Sequence, residues 1–435
     1  MLRSRDEAAA ALEDDLRERM VPFWAATLDR RGEGFHLAAE ERAGPRWLGG
    51  LRIRLRARLR PRPGTAPSPG ERHVVGQSRA VFALALAARL GYDPGGRALA
   101  AADAGCRFLV ERLADREHGG FVWTADRSGR PRVADKLLYG QAFALLALVE
   151  SHRATGERRW LDEAIALARF LAERFADRAH GGWHEHLGRD LRPLDGGADL
   201  ASRLGRTGWK SHDGHLHVTE ALAELLAVTG DAELAAVVRG SADAAARFLR
   251  GADGPPSGFR RADWSRSAAP AARSVLYGHL FEHAWLWLRI DDALGTEPRW
   301  DAMLELVGLA LRHGFDHRRG GVLKSGLDAG PPSGRVRESW AQAEGLVALA
   351  LAATADPRLD EPLRRELDWV LRRHRTARGP WLAALDADGS PLDRTLAGSW
   401  KAGYHEVRSA AFTAAVLRGD RAPWRGASGQ LVRAP

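Results

Sequence analysis

The chain of 435 residues carries a formal net charge of +9, is 45% hydrophobic and 28% charged, and holds 15 Trp and one Cys. That is the profile of a folded globular protein and excludes disorder and fibre. The single Cys106 excludes a disulfide framework and a cysteine zinc knuckle, and the longest apolar runs, Ala80 to Ala88 and Gly345 to Ala353, are too short to cross a bilayer.

The first predicted helix, over 5–28, opens with a capping box, Ser4 with Glu7, and places Leu12, Leu16, Phe23 and Trp24 on related faces. Because the start Met1-Leu2-Arg3 turns acidic and helical at once, the expected location is cytoplasmic. An arginine-rich strand or loop insertion follows at about 41–75, in which Leu51 to Arg60 alternates apolar and Arg residues with the period of a strand. Elsewhere the basic charge is dispersed. Lysine occurs only at Lys136, Lys210, Lys324 and Lys401, so the isoelectric point near 10.4 comes from arginine scattered among Ala, Gly and Leu. Dispersed arginine makes no single basic face, and no nucleic-acid partner is expected.

Further helices are predicted at 76–91, 97–115, 136–155, 159–177, 215–229, 231–250, 277–293, 298–314, 339–354, 358–374 and 403–419. Between them a turn recurs. Asp115-Arg-Glu-His-Gly-Gly120-Phe121 matches Asp177-Arg-Ala-His-Gly-Gly182-Trp183, with looser copies at Asp29 to Phe35, Asp253 to Phe259 and Asp316 to Val322, and a degenerate one at Gly379-Pro-Trp381. Six Gly-aromatic turns joining twelve helices predict an all-α fold: an (α/α)6 barrel, six helical hairpins closed into a ring with short β-hairpin turns, in one domain over 1–435. An open solenoid would repeat more regularly.

In such a ring, polar residues at the starts of the inner helices face a common cavity. Three histidines stand there one turn before a charged residue: His217 before Glu220, His279 before Glu282 and His405 before Arg408. Spacing of i, i+3 lets the second member orient the ring, and the helix N-terminus favours the neutral imidazole that a general base needs. His279-Leu-Phe-Glu282-His283 also reads as a zinc motif, with His279 and His283 as ligands, and His215 with His217 resembles a metal clip. No third ligand is evident for the former, and one ring of the latter would face the helix behind, so no metal is expected. Arg79 near Gln77, Tyr139 with Gln141, Trp340 with Gln342 and Glu344, and Trp400 with Lys401 surround these histidines. Aromatic faces that stack on sugar rings, beside groups that bond hydroxyls, suit a polar ring-shaped substrate.

At these residues the chain resembles the N-acylglucosamine 2-epimerase family, which includes cellobiose 2-epimerase, mannose 2-epimerase and mannose isomerase. The resemblance runs from about Phe35 to Ala411. It rests on Gln77-Ser-Arg79, Lys136-Leu-Leu-Tyr-Gly-Gln-Ala-Phe143, His215-Leu-His-Val-Thr-Glu-Ala221, Tyr277-Gly-His-Leu-Phe-Glu282 with Trp285, Ser339-Trp-Ala-Gln-Ala-Glu344 and Trp400-Lys-Ala-Gly-Tyr-His-Glu-Val-Arg408. It implies the same (α/α)6 barrel and interconversion of sugars at C1 and C2 through an enediolate, without metal or nucleotide cofactor. By this resemblance His279 and His405 are the acid/base pair on opposite faces of the opened sugar, and His217 assists ring opening with Glu282 as its hydrogen-bonded neighbour. Arg79 stabilises the enediolate oxygens, and Trp340 and Trp400 stack on the sugar. Tyr139, Gln141, Glu344, Asp213, Lys401 and Arg408 complete the expected substrate contacts. Two departures fall at substrate-facing positions: Ser339 replaces the first Trp of a Trp-Trp pair, and Asp213-Gly214 stands where an Asn often precedes His-x-His.

The expected function is therefore a metal-independent epimerase or aldose-ketose isomerase acting on an unmodified reducing sugar, mannose foremost. The expected state is a monomer or homodimer with no membrane or nucleic-acid partner. A glycoside hydrolase on the same ring would need two opposed carboxylates where His predominates, and a non-catalytic binding toroid would have an apolar or occluded cavity.

Overall fold

The computed structural model describes residues 4–41, 70–194, 207–249, 254–377 and 379–420. The alternating segment 51–60, most of the 41–75 insertion and Asp253 lie outside them. Twelve principal helices follow in order: α1 Arg5–Asp15, continued through Val21–Ala25; α2 Val74–Arg89; α3 Arg97–Phe108; α4 Leu138–Thr155; α5 Arg158–Phe170; α6 His212–Thr229; α7 Ala232–Ala246; α8 Tyr277–Leu294; α9 Trp300–Gly314; α10 Ser339–Ala355; α11 Asp360–Trp369; and α12 Tyr404–Leu417. Strands among the described residues are two or three residues long and pair in small antiparallel sheets at the turns.

The even-numbered helices pack side by side, and α12 closes on α2, so they form the inner wall of a ring; each outer helix lies against an inner one. Composition explains the two layers. Inner helices are enclosed on all sides and are buried nearly throughout: in α2 every residue from Val74 to Ala87 is buried. Outer helices bury one stripe, as α5 does with Trp160, Leu161, Ala164, Leu167 and Ala168. Three outer helices end in a π-helical turn, at Leu109–Leu113, Leu171–Phe175 and Val370–His374, and α1 is interrupted by one at Leu16–Met20.

Several boundaries differ from the periodicity for local reasons. Helix α6 begins at His212, ahead of the expected 215, because the Ser211 hydroxyl accepts the Gly214 N–H at 2.8 Å. Helix α4 begins at Leu138, later than 136, because Lys136–Leu137 pairs as a strand with His186–Leu187.

The repeated turn holds each hairpin in place. Phe121 and Trp183 bridge back to Ala114 and Ala176, and Asp115 and Asp177 accept backbone N–H groups of their own turns. Gly119 and Gly120 adopt φ of 78° and 66°, and a Cβ on Gly120 would lie 2.6 Å from Phe170 Cε1, so only glycine fits. A cation two residues before the next inner helix locks the aspartate: Lys136 on Asp115 at 2.9 Å, Lys210 on Asp177 at 2.7 Å and Arg337 on Asp316 at 2.6 Å. An amide on the inner helix then clasps the turn's final residue. Gln141 accepts the Phe121 N–H and donates to its C=O, both at 2.8 Å, and Gln77 and Gln342 treat Phe35 and Val322 alike.

Gln141→Ala would orphan a buried N–H and a buried C=O, so it is expected to lower stability by about 1–3 kcal/mol while sparing turnover. Thermal melting alongside kcat checks this.

Candidate active site

The first turns of α2, α4, α6, α8, α10 and α12 converge at one end of the ring. Trp340 lies with its ring 4.9 Å from that of His279 and 5.6 Å from that of His405, bringing the two expected acid/base histidines beside one indole ring. His405 Nδ1 sits 2.7 Å from Glu344 Oε1, and Glu344 Oε2 accepts the Trp285 N–H at 2.9 Å. Burial pushes the His405 imidazolium down to about 3 despite the pull of Glu344, so the ring is neutral with Nε2 left for a substrate. His279 Nε2 faces Asp213 Oδ1 at 3.3 Å.

His217 departs from the neutral ring expected at a helix start. Its Nδ1 lies 2.9 Å from Glu220 and its Nε2 3.3 Å from Asp213. Burial disfavours its charge, but Glu282, Asp213 and Glu220 outweigh that and push the ring up to about 10, an imidazolium. The hydrogen-bonded neighbour of His217 is Glu220; Glu282, expected in that role, stands 3.8 Å away.

Arg408 does not extend toward a substrate as expected. Its guanidinium donates to Glu220 at 2.5 Å, Glu282 at 2.8 Å and Glu344 at 2.9 Å, and lies over the Tyr404 ring at 4.0 Å. Tyr404 in turn donates to Glu220. The i, i+3 pairing is therefore realised only for His217 and Glu220, because Glu282 and Arg408 reach across to other helices. Gln141 is spent on the Phe121 clasp, Lys401 pairs with Glu406, and Glu344 anchors His405, so these three are removed from the expected sugar contacts.

Arg79 donates to the Tyr139 hydroxyl and the Trp400 carbonyl, both at 2.5 Å, and lies 4.3 Å over Phe143. Trp400, partly exposed, approaches Tyr139 and two residues the sequence reading missed, His73 and Trp123, whose rings are 4.2 Å apart. Their positional signal was available: His73 immediately precedes α2, and Trp123 stands two residues beyond the conspicuous Gly-Gly-Phe121 turn.

The histidines of the zinc motif separate: His283 Nδ1 meets His212 Nε2 at 2.8 Å while His279 turns to Asp213. One ring of the His215 and His217 pair was expected to face the helix behind; His215 instead accepts the Trp183 N–H of the preceding turn and meets the Ser211 carbonyl. Glu282, Glu344 and His405 bring ligand atoms within 4.8 Å of one another, but the Arg408 guanidinium, bonded to both carboxylates, already supplies the positive charge.

Burial pushes His73, His283, His374 and His405 down to about 3 and His212 well below 6.5. These rings stay neutral in the fold but protonate in the unfolded chain, so their contribution is present above pH 6.5 and is lost as pH falls toward 3. At about 1.4 kcal/mol per pH unit for each such proton, the melting temperature is expected to fall steeply below about pH 6. Melting curves over an acid pH series test this.

The sequence profile described as N-acylglucosamine 2-epimerase (GlcNAc 2-epimerase) matches residues 59–409. The chain belongs to the N-acylglucosamine 2-epimerase family. As a member it is an isomerase, a sugar epimerase or isomerase. It is 26% identical over 319 residues to the cellobiose 2-epimerase of Dictyoglomus turgidum, covering 71% of this chain and 78% of that one. It is 28% identical over 335 residues to the D-mannose isomerase of Thermobifida fusca, covering 71% and 76%. The fold is similar to the structure of cellobiose 2-epimerase from Bacillus thermoamylovorans B4167, with TM-score 0.79, 22% identity and coverage of 94% and 99%. No helix among the described residues is long and apolar enough to cross a membrane.

Proposed function

We propose that this family member interconverts a reducing hexose at C1 and C2, mannose with its 2-epimer or its ketose, through an enediolate, with His279 and His405 as the acid/base pair. The observation that carries the reading is the placement of both rings around Trp340, each with one nitrogen against a carboxylate of another helix. His405, neutral at rest, takes the proton α to the carbonyl, and the adjacent Glu344 carboxylate offsets the charge the ring then gains. Arg79 stabilises the enediolate oxygens, and Trp340 and Trp400 offer stacking faces. Relatives named for cellobiose and for mannose support a hexose reducing end as the reacting unit.

Hydrolysis fits less well. The oxygens of Glu282 and Glu344 lie within 4.8 Å on one guanidinium, whereas an inverting pair stands roughly 6.5–9.5 Å apart across a substrate.

Proton NMR in D2O with EDTA, on mannose, glucose, fructose, N-acetylmannosamine and cellobiose, tests the proposal. Mannose is expected to convert to its 2-epimer or its ketose. No conversion or exchange in any of the five sugars would overturn it.

A further inference from the structure

Beside Trp340, imidazoles and carboxylates from α6, α8 and α12 alternate in one row. His405 Nδ1 lies 3.8 Å from Glu282 Oε1, and Glu282 Oε2 lies 3.8 Å from His217 Nε2. The same His217 Nε2 is 3.3 Å from Asp213 Oδ1, which is 3.3 Å from His279 Nε2. Glu282 Oε2 and Asp213 Oδ1 are buried and accept no hydrogen bond. A buried orphan oxygen is costly, and two of them flanking one imidazole nitrogen call for a functional account.

We propose that this row is a proton relay joining the two acid/base histidines, so that a proton taken from C2 on one face of the sugar is returned to C2 on the other without entering bulk water. The inference rests on the C1/C2 chemistry proposed above. The C2–H bond breaks, its electron pair enters the enediolate, and His405 becomes an imidazolium. His217, an imidazolium at rest, first passes its Nε2 proton to Asp213, and Asp213 protonates His279 at Nε2. The freed Nε2 of His217 then takes a proton from Glu282 Oε2, as His405 releases its Nδ1 proton from the Glu344 hydrogen bond to Glu282 Oε1. His279 then delivers the proton on its other nitrogen to C2, where the enediolate electron pair re-forms the C–H bond. Each relay group regains its starting charge, and no oxidant or co-reactant is consumed.

The resting charges suit this direction. Burial and the neighbouring Glu344 charge raise the Glu282 carboxyl, which favours its holding a proton, and His217 is already an imidazolium. Asp213, held ionised by His279 and His217 against the cost of burial, is ready to accept.

The test follows C2-protiated mannose in D2O and reads protium retained at C2 of the epimer in the first turnovers. The native enzyme is expected to retain protium, and Asp213→Asn and Glu282→Gln to lose that retention while still exchanging C2–H with solvent. Epimer fully deuterated from the first turnover, retention unchanged in both variants, loss of C2 exchange itself in both, or formation of ketose without epimer would each overturn the relay. All of these outcomes leave the proposed isomerase activity standing, because the native enzyme still turns the sugar over. Failure of the native enzyme to act on any sugar would overturn both.

Discussion

His405→Ala is expected to lose about 10³-fold or more in kcat/KM for conversion of the sugar while remaining folded. The chemical loss follows from position: Nδ1 is fixed on Glu344 at 2.7 Å, so Nε2 is the nitrogen left to meet a proton beside Trp340. The fold survives because the carboxylate that His405 leaves behind is still satisfied. Glu344 keeps the Arg408 guanidinium at 2.9 Å and the Trp285 N–H at 2.9 Å, so no buried charge is abandoned. The remaining penalty is a small cavity beside Tyr404, about 1–2 kcal/mol. Steady-state kinetics and a thermal melt on the same preparation separate the two effects. His279→Ala is expected to behave alike in turnover, since its ring is the other one packed on Trp340. Full activity in either variant would remove that histidine from the chemistry.

The two layers of the ring were legible in the sequence because both signals are local. A helix declares its buried stripe through periodicity, and the Asp-x-x-His-Gly-Gly-aromatic turn declares the hairpin through residues that few other conformations need. The turn also contained more than was read from it. Lys136 and Lys210 stand at the same offset before their inner helices, and Gln77, Gln141 and Gln342 at the same offset within theirs, yet the glutamines read as sugar ligands because a polar residue on an inner helix start invites that reading. Burial decides otherwise: an inner helix start faces both the cavity and the preceding turn, and Gln141 serves the turn.

The site was legible by residue and less so by partnership. A single sequence shows which side chains share a helix face, and it correctly joins His217 to Glu220. It offers no sign that Glu282 leaves His279 for Arg408, or that Asp213 stands between two histidines from different helices, because those distances exist only once the ring closes. The same limit applies to charge. A helix N-terminus does favour neutral imidazole, but carboxylates at both nitrogens of His217 are nearer than the helix dipole and prevail.

Arg408→Met is expected to be the most damaging single change to stability among the site residues. Arg408 holds Glu220, Glu282 and Glu344, three carboxylates from α6, α8 and α10, on one buried guanidinium. Removing it leaves buried negative charges facing one another, and breaking one buried pair alone costs about 3–5 kcal/mol. Against a typical total of about 5–15 kcal/mol, the loss threatens folding near physiological temperature. Lysine is not an adequate replacement, because a point charge with a narrower reach does not span three acceptors as the planar fork does. The pH dependence identifies the cause. Without the guanidinium, the Glu344 carboxyl, held down to about 2 in the native fold, rises above its value of 4.5 in the unfolded chain, and the Glu282 carboxyl, already pushed up to about 7 by burial and the Glu344 charge, rises further. The contribution of these groups is then fully present below about pH 4.5 and is lost as pH rises through the raised folded values. The gap in melting temperature between native protein and Arg408→Met is therefore expected to narrow from pH 8 to pH 5. Cavity formation alone would leave that gap unchanged with pH, so melting curves at the two pH values distinguish stranded charge from lost packing.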